Sequence, residues 1–178
     1  MHYGIKRKYN FMVIISLLIP IIIGGLRFNV ETDYGNYVNI FNYVSELSFS
    51  QFLSQNTYGL EIGFFLIIKL SNLVVTSPDL MFAIANAITL IFFYIGLKRY
   101  SLKHTALVYT MYLFTIYPFT LNAVRQGISM SICFLAFSYL LEKRPKPYVF
   151  WIVTASFFHI SSIVLLPFYF INKIIKPA

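Results

Sequence analysis

Charge is what this sequence has least of. Only 11% of its 178 residues are charged and just six are acidic, too few to clothe the surface of an ordinary soluble domain. Cysteine occurs once, as Cys133 inside an apolar run, which excludes an intrachain disulfide and a four-cysteine metal site. The histidines, His2, His104 and His159, stand far apart in the chain, without the spacing of a zinc site. No glycine-rich phosphate loop, no Ser-His-Asp set in a recognisable context and no cysteine-histidine pair occurs, so the motifs of common soluble enzymes are missing. No repeat of fixed period and no low-complexity tract is visible, and residues 1–178 read as a single domain.

What is abundant is hydrocarbon. Hydrophobic residues make up 58% of the chain and aromatic ones 19%, with a mean hydropathy of +0.72, the signature of a membrane protein. Six apolar stretches run from Phe11 to Leu26, Leu60 to Val75, Leu80 to Leu97, Thr105 to Leu121, Ile128 to Leu141 and Tyr148 to Phe170. Several are shorter than the ~20 residues that span ~30 Å of hydrocarbon, so their ends must borrow polar neighbours or thin the bilayer. The expected fold class is all-α: a polytopic integral membrane bundle of about five to six segments. The first stretch has the charged and apolar regions of a signal peptide, but no small-x-small cleavage site closes it and further apolar segments follow, so it reads as a retained helix.

The net charge of +8 does not point to nucleic acid, because the basic residues fall in small clusters between apolar runs instead of forming a stripe. These clusters, Lys6-Arg7-Lys8, Lys98-Arg99-Lys103 and Lys143-Arg144-Lys146, belong on the cytoplasmic side by the positive-inside rule. All three reach that side only if Leu60 to Val75 enters the membrane without crossing it, leaving five crossings. A helix there would gather Glu61, Lys69 and Asn72 on one broad polar face, as an interfacial or re-entrant helix does. An ordinary crossing with Lys69 paired inside the bundle is the alternative. In the five-crossing arrangement the tail with Lys173 and Lys176 is external, against the rule, and Arg27 to Gly59 faces outward together with the turn at Arg125.

Polar residues stand out against such a background. In "LNAVRQGISM", Asn122, Arg125, Gln126 and Ser129 recur at helical spacings of three and four, which on one helix forms a polar stripe. Its arginine offers a planar fork suited to phosphate oxygens. Equally, Asn122 can cap the helix while Arg125 snorkels to head groups. In "FFHISS", His159 precedes Ser161 and Ser162 near the middle of an apolar segment. It reads either as a neutral histidine bonded to a neighbouring helix or as a catalytic base. In "LRFNVETDYGNY", Tyr34, Tyr37 and Phe41 align on one helical side, suiting a sugar or the membrane interface. There Asp33 can take a proton from an attacking hydroxyl, or neutralise nearby Arg27.

Taken in order, "LRFNVETDYGNY", "LEIGFFLIIKLSNL", "LKRYS", "LNAVRQGISMSICFLAFSYLLEKR" and "FFHISSIVLLPFYF" resemble the EpsG family of Wzy-like polysaccharide repeat-unit polymerases. The family's T-D-Y-x-x-Y element falls on Thr32, Asp33, Tyr34 and Tyr37 after Arg27. Its segment-opening glutamate falls on Glu61, its N-x-x-R-Q on Asn122, Arg125 and Gln126, and its F-H-x-S on Phe158, His159 and Ser161. Two positions depart: Glu31 stands where glycine usually precedes the threonine, and Ser162 where alanine commonly follows the serine. Family members are also commonly longer and begin with an additional helix, so by this resemblance the chain is expected to correspond to an early and middle part of such a protein, without the C-terminal portion.

The resemblance implies an integral-membrane glycosyltransferase of the bacterial cytoplasmic membrane, with its active face outward. Such enzymes join oligosaccharide repeats carried on polyprenyl diphosphate for exopolysaccharide, capsule or O-antigen, without a metal or other cofactor. Partners implied are the lipid-linked oligosaccharide, the bilayer, and the flippase and chain-length regulator of the same pathway. It casts Arg125 and Arg27 as the diphosphate clamp and Asp33 or His159 as the base. Tyr34, Tyr37, Asn122, Gln126, Glu61 and Ser161 would contact substrate. Two other functions fit the same residues: a lipid-linked sugar flippase or exporter subunit, and an inactive truncated membrane protein.

Overall fold

A computed structural model describes residues 2–170, with side chains from Phe11 onward. The side chains of Lys6, Arg7 and Lys8 and the tail with Lys173 and Lys176 therefore lie outside the described residues. Among these residues the secondary structure is helical throughout: α1 (His2–Gly25), α2 (Tyr34–Glu46), α3 (Phe49–Ser54), α4 (Ile62–Val74), α5 (Pro78–Arg99), α6 (Thr105–Thr115), α7 (Tyr117–Asn122), α8 (Val124–Leu141), α9 (Pro145–Ser156) and a 3-10 helix (Ile160–Leu165).

Helices α5 and α8 form the centre, each long and apolar enough to cross a membrane, and they pack along one another. Ser77 caps α5 by accepting from the Asp79 amide at 3.3 Å, and Pro78 in its first turn has no N–H to leave unpaired. Around this pair lie α1 against α5 and α9 against α8, with Phe82, Leu90, Ile128, Ile132, Tyr148 and Ile152 fully buried between them. The outer faces remain apolar, as at Ile19, Leu70, Phe114 and Phe150, a pattern that suits hydrocarbon as solvent.

Three expected stretches break up. Thr105 to Leu121 is two helices, because Pro118 lacks an amide N–H and its ring crowds the preceding turn, so α6 stops at Thr115 and α7 starts afresh. Tyr148 to Phe170 likewise ends its α-helix at Ser156, and His159 takes an extended conformation before the 3-10 turn (φ −156°, ψ 112°) rather than sitting mid-helix. The stripe from Asn122 to Ser129 is not one helical face either. Asn122 closes α7 and α8 begins at Val124, across a break at Ala123 (φ −93°, ψ 63°).

Helix α4 has 13 residues, about 20 Å at 1.5 Å per residue. The Tyr37 ring meets Phe64 in its first turn at 5.6 Å and Phe82 near the start of α5 at 6.3 Å. The beginnings of α4 and α5 therefore lie at one end of the bundle. Lys69 donates to the Ser45 carbonyl of α2 at 2.9 Å, which meets its polar need at a neighbouring backbone. At the opposite end Arg99 grips Glu142 through both carboxylate oxygens, at 2.6 and 2.7 Å, and lies 3.8 Å over the Tyr139 ring.

Candidate functional site

The corner between α7 and α8 is where the polar residues of distant segments converge. Arg27, just past α1, donates to the Leu121 carbonyl at the end of α7 and stacks its guanidinium 4.3 Å over Phe82. Its side chain is only 6% exposed, and its Nε–H has no hydrogen-bond partner. Burial pulls its pKa below the usual arginine value, against the electrostatic pull of Tyr117, Tyr37, Glu31 and Tyr34.

Next to it, the Asn122 side-chain oxygen accepts from the Asp33 backbone N–H at 3.0 Å and from the Thr32 hydroxyl at 3.2 Å. Asn122 therefore does not cap α8. It holds the turn that starts α2. Asp33 occupies the N-cap position of α2 without a side-chain capping bond, and its half-buried carboxylate has no partner among the described residues. The preceding Glu31 has φ +69°, the left-handed region that glycine enters without steric cost.

Two residues past the corner's break, Arg125 donates through Nη1 to Glu61 Oε2 at 2.8 Å and to the Gly59 carbonyl at 3.2 Å. Glu61 is a hub. Its other oxygen accepts from the Ile160 N–H at 3.1 Å and lies 3.4 Å from His159 Nδ1, a close approach without hydrogen-bond geometry, since Nδ1 counts among the buried atoms lacking a partner. The approach is set by Gly63, whose N–H donates to the Phe157 carbonyl at 2.7 Å. A Cβ at Gly63 would sit 2.6 Å from that oxygen and 2.9 Å from the Phe158 ring. Thus the first turn of α4 supplies both the acceptor and the donor that the broken backbone after α9 requires.

Of the residues singled out by sequence, Arg27, Asp33 and Asn122 meet on one flank of the corner, and Arg125, Glu61 and His159 on the other. Both arginines lie at the same end of the bundle. Tyr34 and Tyr37 turn inward: Tyr34 stacks on Phe82 at 5.4 Å, and both are buried, so they form a floor rather than an open platform. Gln126 and Ser161 are exposed, and Ser162 is buried with an unpaired hydroxyl. Sequence reading missed Gly63, Phe82 and the carbonyls of Gly59 and Leu121. Gly63 carried a signal, a small residue two places after the acid; Phe82 carried none. Among the described residues no group of three or more His, Cys, Asp or Glu could hold a metal ion.

Compared with known families, the sequence matches the EpsG family over residues 10–177, a span containing every residue of this corner. No curated protein and no solved structure matches it.

Proposed function

Given that the chain belongs to the EpsG family, and is thus a membrane protein of polysaccharide biosynthesis, we propose that it joins saccharide repeats carried on polyprenyl diphosphate. The observation carrying this reading is the pair of arginines on the two flanks of one helix corner, Arg27 donating to the end of α7 and Arg125 issuing from the start of α8 to Glu61, with an uncommitted carboxylate, Asp33, on the Arg27 flank.

The chemistry needs little else. A sugar linked to diphosphate is already activated: an acceptor hydroxyl oxygen attacks the anomeric carbon, the bond to the diphosphate oxygen breaks, and the electron pair leaves with the diphosphate. Fixed guanidinium groups stabilise that growing charge without reorganising, and confinement supplies the geometry of attack. Asp33 takes the hydroxyl proton in this reading, because its carboxylate has no described partner. His159 instead places its Nδ1 3.4 Å from Glu61 Oε1. Glu61 orients Arg125 and keeps its charge compensated until substrate arrives.

The same reading uses five crossings, with α4 lying in the outer interface. The 13-residue length of α4 and the shared contact of Tyr37 with the starts of α4 and α5 support it. The basic clusters then face the cytoplasm and the arginine corner faces outward.

Replacing Arg125 by Lys keeps the charge and removes the fork. Purified protein should lengthen lipid-linked oligosaccharides in detergent, and Arg125→Lys should lower that rate about a hundredfold, in the range of a lost oxyanion-type donor. Wild-type elongation by the variant would refute the clamp. Transport of the lipid without elongation would identify a flippase instead.

A further inference from the structure

Helix α1 contains Pro20, which has no N–H to give to the Ser16 carbonyl one turn earlier. Two tyrosines from the facing segment bond this stretch of backbone. Tyr109 of α6 donates its hydroxyl to the Ser16 carbonyl at 3.1 Å, and Tyr117, the first residue of α7, donates to the Pro20 carbonyl at 2.7 Å. The Tyr117 hydroxyl also lies 3.4 Å from Asn86 Oδ1 on α5. Asn86 in turn donates at 2.8 Å to the carbonyl of Phe82, the residue whose ring carries the Arg27 guanidinium. Tyr117 and Asn86 are both buried, so water does not compete for these bonds. Gly24 permits the approach: a Cβ there would fall 2.6 Å from both Asn86 Nδ2 and the Tyr117 hydroxyl oxygen.

Helix α7 has only six residues, and it is tied to the α1 segment at both ends: Tyr117 reaches back to Pro20, and Leu121 receives Arg27. Breaks separate it from α6 and from α8, so these side-chain bonds set its register against α1. Arg27 has few anchors of its own. Its Nε–H has no partner, which leaves the Leu121 carbonyl and the face of Phe82. We propose that Tyr117 is a positioning residue for the diphosphate clamp: its hydroxyl seats α7 on Pro20, and α7 then presents the Leu121 carbonyl that holds the Arg27 guanidinium in place. The inference rests on the clamp reading above. From Tyr117 to Leu121 is four residues, about 6 Å at 1.5 Å per residue, so a slip at one end of this short strut is delivered to the other. Tyr109 makes the same kind of bond from α6, on the far side of the Pro118 break, and its acceptor Ser16 lies one turn farther from Arg27 than Pro20 does. It is the natural comparison.

The test is a double-mutant cycle on the full chain in nanodiscs, read as elongation of lipid-linked oligosaccharide. Tyr117→Phe keeps the ring and deletes the hydroxyl. Its kcat should fall about tenfold, part of the hundredfold that a misplacement of about 1 Å can cost, with KM changed by less than about twofold, as for an interaction felt mainly in the transition state. In an Arg27→Lys background the same substitution should have no further effect, because the group it positions is gone, whereas a general weakening of the fold contributes its full factor in either background. Tyr109→Phe leaves the Ser16 carbonyl without the tyrosine donor; it should lower the melting temperature at least as much as Tyr117→Phe and leave kcat unchanged. Gly24→Ala, whose methyl meets the ends of two side chains, displaces the Tyr117 hydroxyl and stands in its place if Tyr117→Phe fails to fold. Wild-type kcat in the variant at 117 or its stand-in, a tenfold loss that persists in the Arg27→Lys background, or an equal kcat loss in Tyr109→Phe would overturn the proposal and leave the clamp standing. Wild-type elongation by Arg27→Lys would remove Arg27 from the clamp, and this proposal with it. Binding of radiolabelled undecaprenyl diphosphate without elongation by the unaltered chain would remove the polymerase reading alone; the cycle is then read in that affinity, with the same non-additivity expected and additive losses overturning the proposal.

Discussion

Adding one methyl group at Gly63 should disable the corner from a distance. A Cβ there would lie 2.6 Å from the Phe157 carbonyl oxygen and 2.9 Å from the Phe158 ring. The ring can rotate, but the carbonyl is backbone and is tied to the Gly63 N–H at 2.7 Å. Restoring an ordinary contact requires α4 and the segment after α9 to separate by about 0.8 Å, the kind of shift that overpacking forces at a cost of about 1–3 kcal/mol. A movement of that size stretches the 3.1 Å bond from Ile160 N–H to Glu61 past hydrogen-bond length and displaces the carboxylate that fixes Arg125. Misplacement by about 1 Å can cost a hundredfold in rate. Gly63→Ala should therefore lower both the melting temperature in detergent and the rate of elongation of lipid-linked oligosaccharide. The control is Gly35→Ala on α2, where a Cβ meets nothing within 4 Å and alanine favours the helix by about 0.5–1 kcal/mol. Should Gly63→Ala match wild type in both assays while Gly35→Ala behaves as expected, the close approach of α4 to the chain after α9 is not what builds the site.

Four further outcomes follow from the geometry. Glu31→Gly relieves a left-handed conformation worth about 1–2 kcal/mol, offset by glycine's greater entropy in the unfolded chain, and should leave thermal stability unchanged or slightly raised; a clear loss would mean the Glu31 side chain has a role of its own. Asn122→Ala removes the acceptor shared by Thr32 and Asp33 and should destabilise by about 1–3 kcal/mol, measured by denaturation in mixed micelles. Asp33→Asn should reduce elongation by about 10²–10⁴ if it is the base, with His159→Gln reducing it far less; the reverse order would transfer the role to His159. Glu142→Gln, at a half-exposed pair on the far end, should cost no more than about 1 kcal/mol and leave elongation untouched.

The long helices were legible because hydrophobic length is a local property. Residues 80–97 and 128–141 each sit inside a single helix, extended by caps and polar ends. The break at Ile116 was readable too, since Pro118 lies within the run, yet a purely apolar count passes over it. The break at His159 has no proline or glycine to announce it. Its freed carbonyl and N–H are satisfied by Gly63 and Glu61, residues about a hundred positions earlier, so only tertiary structure explains it. The site shows the same division. Arg27, Asp33, Glu61, Asn122, Arg125 and His159 stood out as polar residues in a greasy chain, but that Glu61 would meet Arg125 rather than share a polar face with Lys69 is a fact of packing, not of spacing.

Glu61 closes contacts with partners 64 and 99 residues further along the chain. Loops of such length raise the contact order of this corner well above that of the hairpins on either side, so it should assemble after they do. While the nascent chain is being inserted, Glu61 must wait for α8 to deliver Arg125, and then for the turn beyond α9 to deliver Ile160. An unpaired carboxylate is costly within hydrocarbon, which favours keeping the start of α4 in contact with water during that interval. Biogenesis and catalysis would then ask for the same placement of this residue, at the wetted rim of the membrane.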